Sequence, residues 1–122
     1  MAAEAGIKDI VVLEKEPIVG GSSMISGGQW AVSETELQRR NGILDTDSIF
    51  YADMLRIGKN RNDPQLVKKL IQVSREQYNW VLEHGVAPLA LSAASGMSRP
   101  RAHTFDAVAV MNLLLRMAAR HN

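Results

Sequence analysis

Cysteine is absent from this 122-residue chain, which excludes a disulfide framework and a thiolate metal site while leaving the compartment open. An excess of one charge is absent too. Fourteen Lys and Arg stand against 13 Asp and Glu, for a formal net charge of +1, and the two signs are spread along the chain. No basic stripe collects a phosphate backbone and no acidic tail mimics one, so nucleic acid is not expected as a partner. Long apolar runs are also missing. The longest, Met111 to Ala119, is broken by Asn112 and Arg116 and falls well short of the ~20 apolar residues a membrane helix requires. Met1 to Lys8 have neither the basic start nor the apolar centre of a secretory signal. Histidines are few: His84, His103 and His121 lie scattered without metal-ligand spacing, and no metal site is expected.

What remains is ordinary globular material, 46% hydrophobic and 22% charged, of a length that fits one small domain. The run Ile10-Val11-Val12-Leu13 is rich in β-branched residues and apolar on both faces, as expected of a buried strand in a parallel sheet. Ala2, Ala3, Glu4 and Ala5 read as the last turn of a helix that Gly6 stops. Between Gly20 and Gly28 the chain reads Gly-Gly-Ser-Ser-Met-Ile-Ser-Gly-Gly. Four residues without side chains let this backbone approach another body closely. A flexible linker is the alternative, though Met24 and Ile25 in its middle speak against one.

Three helices carry legible caps. Asp45, Thr46 or Asp47 starts the first, with Phe50, Met54 and Ile57 on one face before Gly58. Asp63 with Pro64 starts the second, whose face is Val67, Leu70, Ile71, Tyr78, Val81 and Leu82, and Gly85 ends it. Thr104 or Asp106 starts the third, with Val108, Met111, Leu114, Leu115 and Ala118 on one side. Val86 to Arg101 reads as loop with a short strand at Ala87 to Leu91.

The residue after the expected strand carries the chemistry. In dinucleotide-binding folds the second strand ends in an acid that hydrogen-bonds the adenosine ribose, and Glu14 fits that place, the alternative being a solvated loop residue. Arg99, Arg101 and His103 form the single local cationic cluster, read as a solvated loop or helix-entry contact rather than a dicarboxylate site. Tyr78 and Trp80 fall at helical spacing and read as packing residues. Met24 and Ile25 stand open between packing and contact with a bound ligand.

The stretch Glu14-Lys15-Glu16-Pro17-Ile18-Val19-Gly20-Gly21-Ser22-Ser23, followed by Ser26-Gly27-Gly28, resembles an FAD-contacting segment of the fumarate reductase and succinate dehydrogenase flavoprotein superfamily, which includes the 3-ketosteroid dehydrogenases. Asn62-Asp63-Pro64 before a long helix, Trp80 within it, Gly85 after it and Arg101-Ala102-His103 resemble the flavocytochrome c branch. The resemblance implies an α/β fold, a fragment of a Rossmann-like FAD-binding domain that is mostly α-helical here, with one or two short strands. It implies that Glu14 holds the adenosine ribose, that Ser22 and Ser23 hydrogen-bond the pyrophosphate or ribityl region, and that the backbone at Gly20, Gly21, Gly27 and Gly28 passes beside the cofactor. Relatives often carry Asn where this chain has Ser22, which shortens that donor's reach.

No Gly-x-Gly-x-x-Gly turn occurs in the sequence; it would stand roughly 20 residues before the acid, ahead of Met1. By the same resemblance the substrate-binding His and Arg residues and the proton-donating Arg lie beyond Asn122. The expectation is therefore a partial FAD-binding domain over 1–122 with no catalytic residue of its own. In the full-length enzyme a hydride would pass between FAD and a carbon–carbon double bond of a fumarate-like small-molecule substrate. Apolar faces left uncovered would favour self-association. The rival expectation is a non-enzymatic helical interaction module descended from such a flavoprotein.

Overall fold

The computed structural model describes Ala2 and residues 4–120; Met1, Ala3, His121 and Asn122 lie outside the description, and with them the Ala3 part of the expected N-terminal turn. The elements in order are α1 (Gly21–Met24), β1 (Gln29–Ala31), α2 (Glu36–Arg40), α3 (Asp47–Ile57), α4 (Pro64–Glu83), β2 (Ala90–Ser92), β3 (Ala102–Thr104) and α5 (Ala107–Ala119). The α/β class is as expected from the sequence, with helix far outweighing strand.

The three main helices start where their caps indicate. Thr46 accepts from the Ile49 amide at α3 and Asp63 from the amides of Gln65 and Leu66 at α4. Asp106 accepts from Val108 and Ala109 at α5. Each side-chain oxygen satisfies amides the helix itself leaves without partners. On α4, Val67, Ile71, Tyr78 and Val81 are buried as the periodicity predicts, whereas Leu70 and Leu82 are exposed. On α5 the reading is overturned: Leu113 is buried and Val110 packs on the core, while Val108, Leu114 and Leu115 face outward. An all-round apolar helix with mixed neighbours gives the periodicity little to discriminate.

The sheet is the larger surprise. It has three short strands in the order β1-β3-β2, both pairings antiparallel, with Trp30 and Leu91 opposite His103. Only β2 overlaps the strand expected at Ala87 to Leu91. The segment Ile10–Leu13 forms no strand: Val11, Val12 and Leu13 are 76%, 81% and 90% exposed. A strand is completed by neighbours, and among the described residues none pairs with this segment's amides and carbonyls.

Two apolar clusters hold the elements together. Val32, Tyr78, Val81 and Phe105 join β1, α4 and β3, with Trp30 and Trp80 packed against them. Phe50, Val67 and Ile71 join α3 to α4. Tyr78 and Trp80 are thus packing residues, as their spacing predicts. Trp30 meets Tyr78 edge-on at 6.5 Å and Phe105 at 5.8 Å, and its indole N–H donates to Ser74 Oγ at 2.7 Å.

Candidate functional site

The Gly20–Gly28 run lies on the surface, folded into the single turn of α1 and a bend. Gly20, Gly21 and Gly28 have φ of 121°, 46° and 64°, backbone that side-chain-bearing residues rarely adopt. Ser26 Oγ donates to Ser23 O at 2.9 Å and accepts from the Gly28 amide at 3.3 Å, which closes the bend. Gly28 is needed by the chain itself, because a Cβ there would overlap the carbonyl oxygen of Phe105. Gly20 likewise faces the Met24 side chain. Met24 is thus folded back onto its own turn, while Ile25 stays 87% exposed.

Gly27 is different. It lies outside the left-handed region, and a Cβ built on it would meet nothing within 4 Å. No contact inside the chain requires a glycine there; open space at an α-carbon is what a ligand lying on the run would use. Ser22, Ser23 and Gly21 are exposed beside it. Glu14 is exposed as well, and its Oε1 accepts from the amide of Glu16 at 3.0 Å. A groove of about 270 Å³ runs along the bend, with Ser23, Ser26 and Gly28 on one wall and Val110, Met111 and Leu114 of α5 on the other.

The cationic cluster read from the sequence is a correction. Arg99 is exposed, but Arg101 and His103 are each 0% exposed, the opposite of a solvated loop. Arg101 forks to Asp45, with Nε to Oδ2 at 2.9 Å and Nη2 to Oδ1 at 2.8 Å, and its Nη1 reaches Asp53 Oδ2 at 2.6 Å. Its guanidinium lies 4.8 Å from the Phe50 ring centre. With both carboxylates engaged, Arg101 is not free to hold a dicarboxylate substrate. Burial alone would raise the Asp53 pKa, yet hydrogen bonds from Arg101, the Ser98 amide and Arg56 outweigh it and hold the carboxyl well below the usual range. On Arg101 burial likewise works against the charge, and Asp45 and Asp53 overcome it, raising its pKa.

Beside this pair Gln38 Nε2 donates to Asp45 Oδ2 and to Pro100 O, both at 2.8 Å. Thr35 and Gln38 form a reciprocal capping box at the start of α2. His103 Nδ1 lies 2.9 Å from the Arg101 carbonyl and Nε2 lies 2.9 Å from Thr35 Oγ1. Those partners assign the proton to Nδ1 and leave Nε2 accepting from the hydroxyl. Burial pushes the imidazole pKa down, against the opposing pull of the Arg101 and Trp30 backbone and Asp45. Sequence reasoning passed over Thr35-x-x-Gln38, a signal for the helix start that was present, whereas nothing in the sequence ties Asp45 or Asp53 to Arg101 across 56 and 48 positions.

The chain is thus an α/β protein that carries a glycine bend open to solvent. The chain belongs to the FAD binding domain family, whose profile matches residues 1–115. It is 39% identical over 84 residues to a urocanate reductase of Eggerthella lenta, covering 69% of this chain and 14% of that protein. It is 31% identical over 102 residues to a cytochrome-type fumarate reductase of Shewanella frigidimarina, covering 84% and 18%. The open conformation of a flavocytochrome c3 fumarate reductase superimposes with a TM-score of 0.88 at 25% identity, over 99% of this chain and 22% of the other. The resemblance to flavin-dependent fumarate reductases is thereby borne out, and the cofactor indicated is FAD. The chain spans less than a fifth of the length of these two curated relatives. The rival reading, a non-enzymatic module, gains nothing from these likenesses. No helix among the described residues is long and apolar enough to cross a membrane.

Proposed function

We propose that this chain supplies part of the FAD site of a flavin-dependent reductase acting on an activated carbon–carbon double bond, of the kind found in fumarate, urocanate or another enoate. The family membership supports the flavin, and the fumarate and urocanate reductases among the relatives support the substrate class. The observation that carries the reading is the open α-carbon at Gly27 within an exposed, serine-bearing bend. Those residues fit the cofactor: hydroxyls and amides suit phosphate and ribityl oxygens, and the missing side chains admit close approach.

In this reading Glu14 accepts from the adenosine ribose hydroxyls. Ser22 and Ser23 donate to the pyrophosphate or ribityl region, and Gly20, Gly21, Gly27 and Gly28 present backbone to the cofactor's edge. FAD, when bound, supplies hydride chemistry that no side chain of this chain offers. The chain itself binds and orients, as a partial FAD-binding domain over 1–122. Its buried Arg101 is engaged by Asp45 and Asp53 within the chain, and this reading gives it no catalytic role.

Titrating the chain with FAD and following flavin absorbance tests the reading. Glu14→Ala is expected to weaken binding about ten- to hundredfold, the loss of a hydrogen bond to a charged group, and Gly27→Leu to abolish it. Equal affinity in all three proteins sinks the assignment.

A further inference from the structure

One strand links the buried ion cluster to the glycine run. Arg101 immediately precedes β3 and Phe105 immediately follows it. The Phe105 amide donates to Gly28 O at 2.9 Å, and the Phe105 carbonyl oxygen sits where a Gly28 side chain would be. Phe105 therefore holds the end of the run through its amide, and its carbonyl occupies the space beside the Gly28 α-carbon. At the other end, the Arg101 carbonyl accepts from the Val32 amide at 3.1 Å while its side chain is clamped by Asp45 and Asp53. Midway, His103 is pinned to Thr35. β3 is the central strand, paired on both sides, so it cannot slip by a residue without turning every side chain to the wrong face.

We propose that Arg101, acting through β3 and Phe105, is a positioning residue for the Gly20–Gly28 run, setting where its backbone lies for a bound cofactor. The inference rests on the reading of that run given under Proposed function. Buried ion pairs are weak contributors to stability compared with apolar replacements, and their best-attested use is to fix one arrangement among several. The chemistry asks for arginine in particular, because a rigid fork can meet two carboxylates at set angles where a lysine offers only a point charge.

The test compares Arg101→Lys and Asp53→Asn with Val67→Ala, a core change on α4 outside the ion cluster and the run. Amide hydrogen exchange at Phe105 and Ser26 is measured beside FAD affinity. Both cluster variants are expected to speed exchange at Phe105 at least tenfold more than Val67→Ala, after correction for global stability. They are also expected to weaken FAD at least fivefold, where Val67→Ala stays within twofold. Should Arg101→Lys fail to fold, Asp53→Asn, which leaves the Asp45 pair intact, decides. Phe105 exchange in Asp53→Asn no faster than in Val67→Ala overturns the inference whatever FAD does. Faster exchange together with no flavin binding by the unsubstituted chain upholds the mechanical link and instead sinks the reading of the run as a cofactor site.

Discussion

Two stretches of this chain carry the residues that drew attention, and they sit in opposite surroundings. Residues 7–28 hold the apolar run, Glu14 and the glycine bend, and nearly all of them are exposed. The knot around Arg101 holds five polar side chains, Thr35, Gln38, Asp45, Asp53 and His103, all buried and all hydrogen-bonded. The hydrophobic residues lie outside and the charges inside, the reverse of the usual arrangement. The contrast teaches that polarity predicts burial only where partners are known. A guanidinium between two carboxylates is electrically satisfied in the interior, whereas valines without a neighbouring strand have nothing to bury them.

The sharpest way to break the contrast is to remove the arginine. Arg101→Met leaves Asp45 and Asp53 buried beside no cation, and a loss of about 3–5 kcal/mol is expected, read as a lower urea midpoint at unchanged slope. A loss below about 1 kcal/mol would mean that water reaches the carboxylates. Next in size is Gly28→Ala, which sets a methyl against the Phe105 carbonyl at a φ of 64°. It is expected to cost about 1–3 kcal/mol, checked by the same denaturation.

Acid should act on the knot before it acts elsewhere. His103 has a folded-state pKa below its ordinary 6.5, so the unfolded chain binds the proton more readily and stability falls as pH drops below about 6.5. Asp53, also depressed, adds a second loss as pH falls below its unfolded value near 3.8. Thermal melts from pH 7.5 to 5 are expected to show the first fall, and His103→Gln to flatten it. The smallest effect belongs to the exposed stretch. Val12→Ser is expected to change stability by less than about 0.5 kcal/mol while lowering any self-association seen by sedimentation. A large destabilisation would show that the stretch is buried after all.

Much of the helical layer was legible. Thr46, Asp63 and Asp106 are short polar side chains directly ahead of apolar periodic segments, and their capping is a local act that needs no distant partner. The glycine bend was legible for the same reason, since backbone conformations such as those of Gly20 and Gly28 are set residue by residue. Two of the three strands were not. Gln29–Ala31 and Ala102–Thr104 are too short to carry a period, and each exists because the other lies opposite. Ile10–Leu13 shows the converse, a fine strand pattern with no neighbour to pair it.

By itself the sequence determined the helix starts, the glycine bend with Ser22 and Ser23 in it, and the likeness to flavin-dependent reductases, because each is written in residues adjacent along the chain. Only the tertiary structure decided that Arg101 is buried rather than solvated, that Phe105 holds Gly28, and which residues form the sheet. Those outcomes depend on groups tens of positions apart, brought together by packing, and packing is a property of the whole chain at once.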